Sequence, residues 1–370
     1  MDENPLASWE KARHILCVRL DAAGDVLMTS PAIRAVRESA PERRVTLLTS
    51  SAGAEAAKLL ASVDEVIPYQ APWVKGTTGG VESDLRMLAS LRRRCFDAAI
   101  IFTVYSQNPL PAALLTYLAG VPLRLARCRE NPYELLTTWL PEEEPAQFIR
   151  HEVQRQLDLV AAVGCATADD HIRLDVPCAS KMQAQRSLAE VGIDGERPWI
   201  VVHPGASAPS RRYPPEAFAH VVESLVAEGL QVALTGSPAE VELVETVRSN
   251  VRDKTVSFAG RLGLSQLAAL IAEAPLLLTN NTGPAHIAAG VATPVVVLYA
   301  LTNPQHQPWR VPCKVLARDV PCKYCYKSVC PEGHHACLRG VHPEEVVSAV
   351  LELLDDTIGL RNRREPAWQV

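Results

Sequence analysis

A chain of 370 residues, 48% of them hydrophobic, is long enough for two domains with sizeable cores. Its formal net charge of −5 gives no global attraction for nucleic acid. No apolar run approaches the roughly 18 residues of a membrane span; the longest candidate, AAGVATPVVVLYAL, is broken by Gly290, Thr293 and Pro294. The opening MDENPLASWEKAR is polar and mixed in charge. It reads as a frayed end rather than a secretory leader, so the chain is expected in the cytoplasm. HILCVRL (14–20) then reads as a buried strand, PAIRAVRESA (31–40) as a helix and RRVTLLTS (43–50) as the next strand. DEVIPY (64–69), the helix VESDLRMLASLRRR (81–94) and the strand FDAAIIFTV (96–104) continue the alternation. HEVQRQLDLVAAVG (151–164) sets Val153, Leu157 and Val160 on one helical face and closes on Gly164.

From Cys165 to Pro198 the texture changes to an extended polar stretch, one helix and the turn DGERP, which reads as the region between domains. The alternation restarts with the strand WIVVHPG (199–205), the helix PPEAFAHVVESLVAEG (214–229) and the strand QVALTG (231–236). Helices at 237–250 and 265–274, the strand PLLLT (275–279), a short helix PAHIAAG (284–290) and the strand PVVVLYA (294–300) follow. Strands that alternate with helices argue for parallel sheets covered on both faces. The expected fold class is therefore α/β, with two Rossmann-like doubly wound domains facing a central cleft where ligands bind at strand carboxyl ends. The expected boundaries are 1–180, 181–342, and a helix with its tail over 343–370.

Three segments offer chemistry. In LLLTNNTGPAHIAAG a strand ends at Thr279, and Pro284 suits the first position of a helix. Backbone N–H groups at that helix start, beside Thr282, Gly283 and His286, suit a phosphate, though Thr282 could simply cap the helix. In HPGASAPSRRYPPEAF a small-residue turn after His203 allows close approach, and Ser207, Ser210, Arg211 and Arg212 could hold an anion through arginine's two-pronged fork. The same turn could equally be a solvated loop. In LTGSPAEVE, Ser237 and Glu240 match a capping box, while Glu240 at a strand end could also hold a ribose hydroxyl. A G-x-G-x-x-G after a strand and a Walker A loop are both absent from the sequence.

The ten cysteines include a cluster, CKYCYKSVCPEGHHACLRG, with Cys322, Cys325, Cys330 and Cys337 in a C-x2-C-x4-C-x6-C spacing. Four thiolates so close could bind a structural zinc or iron. Reduced thiols packed under a loop, or a redox-labile disulfide, explain them as well.

Four segments, in order, resemble glycosyltransferase family nine, the ADP-heptose:lipopolysaccharide heptosyltransferases, in its heptosyltransferase II branch. They are ILCVRLDAAGDVLMTSPAIRAV, HPGASAPSRRYPPEAF, TNNTGPAHIAAGVATPVVVLY, and the cysteine segment followed by HPEEVVSAVLEL. The resemblance implies a GT-B fold, with the acceptor mainly on the first domain and an ADP-sugar donor mainly on the second. It implies inverting transfer of a heptose or related sugar to an acceptor hydroxyl, with no cofactor required at the reaction centre. By motif matching Asp25 is the general base, Ser207 and Arg211 contact the diphosphate, and Glu240 holds the ribose. Thr282, Gly283 and His286 hold the phosphates and nearby sugar. Asn281 stands where the family commonly has aspartate; it keeps an acceptor oxygen and loses the charge.

The acceptor implied is a lipopolysaccharide core or other surface glycan, reached by peripheral contact with the inner membrane face, with no nucleic-acid partner. A protein or small-molecule acceptor, and a non-catalytic nucleotide-sugar-binding protein on the same fold, are the competing readings. The opening LDAAGDVLMTSPAI leaves a choice of its own, since Asp25 could cap a helix or take a proton, and Asp21 is the other carboxylate on that turn.

Overall fold

The computed structural model describes residues 5–76 and 79–364, so the final six residues of the expected 343–370 tail lie outside the described residues. The chain divides into two compact units, Met1–Asp175 and Val176–Val370. In the first, β1 (His14–Arg19), β2 (Arg44–Thr49), β3 (Glu65–Pro68), β4 (Ala98–Ile101), β5 (Leu123–Cys128) and β6 (Thr138–Pro141) form one sheet of order β3-β2-β1-β4-β5-β6. Every pairing is parallel. The helices are α1 (Pro5–Lys11), α2 (Ala23–Glu38), α3 (Ser51–Ala57), α4 (Val81–Arg93), α5 (Leu110–Leu118) and α6 (Glu152–Ala161). Strands covered on both faces must be apolar throughout, and Ile15 to Val18 and Ala98 to Ile101 are all buried.

The second unit repeats the plan. Its sheet joins β7 (Trp199–His203), β8 (Gln231–Leu234), β9 (Thr255–Ser257), β10 (Leu277–Asn280), β11 (Val295–Leu298) and β12 (Cys313–Leu316) in the order β12-β11-β10-β7-β8-β9, again all parallel. Numbered from its own first strand this is the same 3-2-1-4-5-6 order as the first unit. The helices are α7 (Cys178–Glu190), α8 (Pro215–Ala227), α9 (Val241–Val247), α10 (Leu264–Glu273), α11 (Gly283–Gly290), α12 (Ala336–Arg339) and α13 (Pro343–Arg364). Ile200, Val202, Phe218, Leu225, Leu278 and Val296 centre the core, and α13 adds Val346, Ala349 and Val350 to it. Each of these side chains apart from Ala349 contributes about 1.5–3 kcal/mol on burial. Among the described residues no helix is long and apolar enough to cross a membrane.

Several local features depart from the sequence reading. The opening is not frayed throughout, because α1 is pinned by Trp9, whose indole N–H donates to Thr138 Oγ1 at 3.2 Å. The second helix starts at Ala23, eight residues before the expected start at Pro31. Pro31 cannot donate to the Leu27 carbonyl, and the Ser30 hydroxyl donates there instead at 2.7 Å. The helix within 165–198 is α7, which packs on α10 of the second unit and reaches Glu273 through Gln185.

Candidate active site

In an open parallel sheet the strand order reverses at one point, and loops diverge there to leave a crevice at the carboxyl ends. In the first unit that point lies between β1 and β4. β1 ends on Arg19, whose side chain is fully buried and faces three carboxylates. Its Nε lies 3.0 Å from Asp21 Oδ2, its Nη1 lies 3.0 Å from Glu152 Oε1, and its Nη2 donates to Asp25 Oδ1 at 3.3 Å. The first two are ion pairs without hydrogen-bond alignment. Burial works against the guanidinium's charge, but Asp21, Glu152 and Asp25 outweigh it and raise the pKa of Arg19. Burial also raises the pKa of Glu152, and of Asp21, against the pull of Arg19 in both cases.

Asp25 sits in the first turn of α2, where Ala22 has no side chain able to cap; its Oδ2 accepts the Ala22 N–H at 3.2 Å. The cap reading of this aspartate is therefore correct as far as it goes. Its side chain is also 20% exposed, so the second oxygen edge is not sealed. Asp21 accepts from the Gln107 amide and opens onto a cavity of about 440 Å³ that Trp73, Lys75, Thr103 and Asn108 also line.

In the second unit the reversal lies between β7 and β10. At Gly205, just past β7, a Cβ would fall 2.2 Å from Glu240 Oε1, so Glu240 keeps its present position only over a glycine. Glu240 is held in place by accepting the Ser237 N–H at 2.8 Å, so the capping-box signal and the site carboxylate are one and the same. Asn280, buried at the end of β10, donates to the Pro204 carbonyl at 2.7 Å and accepts the Tyr213 N–H at 3.1 Å, tying the β10 end to the loop after β7. Asn281 accepts the Ala300 N–H at 3.2 Å. Thr282 is the N-cap residue of α11, yet its hydroxyl makes no capping bond. The space over Gly283 is open to 4 Å, and His286 is buried one turn on.

The Ser-Arg-Arg run divides its labour. Ser210 bonds the Lys327 carbonyl through its hydroxyl (2.7 Å) and the Ser328 carbonyl through its N–H (3.0 Å). Arg212 Nε donates to the Ala206 carbonyl at 2.7 Å. Both therefore hold the turn. Arg211 has no carboxylate at ion-pair distance among the described residues, and its charge acts on Tyr299 past the end of β11. Ser207 is exposed on the same turn.

His203, at the end of β7, is pushed down to about 4 by burial, with the Glu240 charge opposing, so it is neutral at pH 7. A histidine whose folded value lies below its ordinary 6.5 contributes stability that is whole above pH 6.5 and is lost as pH falls towards 4. The loss totals about 3 kcal/mol. Calorimetry at pH 7, 5.5 and 4.5 should show the second unit's unfolding midpoint falling over that window, with a smaller fall in His203→Gln.

The four clustered cysteines lie near one another past the end of β12. Sulfurs on one tetrahedral ion with metal–sulfur bonds near 2.3 Å would sit roughly 3.8 Å apart. Among the described residues, the only three ligand atoms gathered within 4.8 Å of one another belong to Asp169, Asp170 and His171. Cys322, Cys325, Cys330 and Cys337 are free thiols near enough that the other three help burial to raise the Cys337 pKa. The segment also stitches loops together, with Tyr324 N–H donating to Leu301 at 2.6 Å and Tyr326 N–H to Thr302 at 2.9 Å.

The structure thus gathers Glu240, Asn281, Thr282, Gly283 and His286 around one reversal point, with Ser207 and Arg211 on the adjoining turn. Arg19, Gln107 and Glu152 escaped the sequence reading. The one available signal was an arginine ending an otherwise apolar strand.

Residues 85–336 match Glycosyltransferase family 9 (heptosyltransferase). The chain is 26% identical over 353 residues to lipopolysaccharide heptosyltransferase 2 of Salmonella typhimurium, covering 92% of this chain and 99% of that one. The corresponding Escherichia coli protein is 27% identical over 353 residues, with 92% and 98% covered. A glycosyl transferase family 9 structure from Veillonella parvula superposes with a TM-score of 0.80 at 22% identity, covering 96% and 99% of the chains. The E. coli ADP-heptose heptosyltransferase II structure does so with a TM-score of 0.73 at 23% identity, over 93% and 99%.

Proposed function

We propose, from the premise that the chain belongs to glycosyltransferase family 9, that it transfers a heptose from ADP-heptose to a hydroxyl of a lipopolysaccharide core. The observation that carries this reading is the second unit's reversal point, where Glu240 lies against Gly205 beside the open start of α11. A carboxylate against a glycine turn suits the two hydroxyls of a ribose. The helix start and Arg211 suit the diphosphate. Asn281 and His286, further in, suit the sugar, with Ser207 at the phosphate edge.

In an inverting transfer the acceptor oxygen attacks the anomeric carbon, the bond to the diphosphate breaks, and the acceptor's proton leaves. Asp25 takes that proton in this reading. The charge that develops on the departing ADP meets Arg211 and the α11 N–H groups, so those groups supply the electrostatic stabilisation. Trp73 and Lys75 in the first unit's cavity give the acceptor sugar a flat apolar wall and a cation. In this reading the protein works in the cytoplasm, in peripheral contact with the inner membrane face that carries its lipid-linked acceptor.

The test is incubation of the purified protein with ADP-heptose and a heptose-deficient core acceptor, followed by mass spectrometry. A gain of one heptose is expected; transfer from another nucleotide sugar alone, or none, overturns the reading. Arg211→Ala should weaken ADP binding by roughly 10–100-fold in calorimetry, the magnitude of a lost charge-assisted bond.

A further inference from the structure

Arg19 is shared unusually. One sealed guanidinium serves three carboxylates, and each takes a different nitrogen. An arginine paired one-to-one with a carboxylate holds it firmly ionised and makes it a poor base. Here only Asp25 is both on the reaction side in the proposed mechanism and hydrogen-bonded to Arg19. Glu152 stands on the first turn of α6, with no side-chain exposure, and accepts the Gln156 amide at 2.7 Å. The charges of Glu152 and Asp25 act on each other, as do those of Asp21 and Asp25. From one turn along α6, Arg155 also acts on Glu152, but its own nitrogens are committed to Glu142, Glu144 and the Thr103 carbonyl. The charged groups that act on Asp25 thus include Arg19 from β1, Asp21 from the turn and Glu152 from α6.

We propose that Glu152 is a positioning residue for the transfer: from behind Arg19 it takes a share of the guanidinium's charge and so leaves Asp25 able to accept the acceptor's proton. The inference rests on the reading of Asp25 as the base. It needs Glu152 ionised, which its ion pair with Arg19 and its bond from Gln156 favour against the opposing effect of burial. Removing the Glu152 charge tightens the Arg19–Asp25 pair and removes a repulsive neighbour. Both changes make Asp25 a weaker base.

The test compares pH profiles of kcat/KM and kcat for the wild type, Glu152→Gln, Glu152→Asp and Asp25→Asn, using ADP-heptose and the core acceptor. In Glu152→Gln the acid limb should move about one pH unit lower, with kcat at neutral pH down about three- to tenfold and the KM for ADP-heptose within about twofold. Glu152→Asp, which keeps the charge one methylene short, should place the limb between the two. That graded result stands by itself if the glutamine variant fails to fold. An acid limb unmoved in every variant that folds overturns the proposal, even if stability falls. Turnover retained by Asp25→Asn overturns the assignment of the base itself, a separate failure.

Discussion

Asp25→Asn should lower transfer by roughly 10²–10⁴-fold, the usual contribution of a positioned base, while ADP affinity stays within about twofold. Asparagine has the same shape and an oxygen that can still accept the Ala22 N–H, so the start of α2 survives. Arg19 loses one partner of three and keeps Asp21 and Glu152, so no buried cation is orphaned. What disappears is the basic oxygen. Single-turnover kinetics report the chemical step, and calorimetry with ADP reports the donor site. Unchanged turnover would transfer the role to Asp21, which lines the cavity and is bonded by Gln107.

Arg155→Met should destabilise the first unit by about 3–5 kcal/mol, because breaking a buried ion pair from one side leaves the other side uncompensated. Arg155 is 1% exposed; it bonds Glu142 and Glu144, 6% and 0% exposed, and its Nε donates to the Thr103 carbonyl at 3.1 Å. Methionine fills much of the volume but leaves Glu142 without its arginine and Glu144 with Arg150 alone. For a unit of this size the unfolding midpoint should fall by on the order of 6–20 °C, read by calorimetry at pH 7. A fall below about 2 °C would mean that water reaches the carboxylates and the pairing matters little.

The alternation of strands and helices was legible because parallel strands buried on both faces are unbroken apolar runs, as in HILCVRL and PVVVLYA. β5 was not, because LRLARC carries two arginines. The head of Arg124 is absorbed by the Leu135 and Glu134 carbonyls, at 2.8 and 2.7 Å, a solution invisible in one dimension. β6 and β12 are four residues each and only partly buried, too short and too mixed to show a period. On the donor side, Glu240 and the Asn281–His286 turn could be read locally, since a capping box and a proline-led helix start are contiguous signals. Arg19 and Glu152 could not, because they meet only after α6 has packed on α2.

The outermost strands of the two sheets, β3, β6, β9 and β12, are four, four, three and four residues long. Pro68 and Pro141 close two of them without an N–H to offer, Glu65 on β3 is engaged by Arg44 and Arg94, and β12 carries Lys314. A foreign strand seeking a template would find barely one turn of ladder before meeting a proline, a charge or the strand's end. The most apolar segments of the chain lie inside these blunted margins, so two molecules in a crowded solution have little means of joining sheet to sheet.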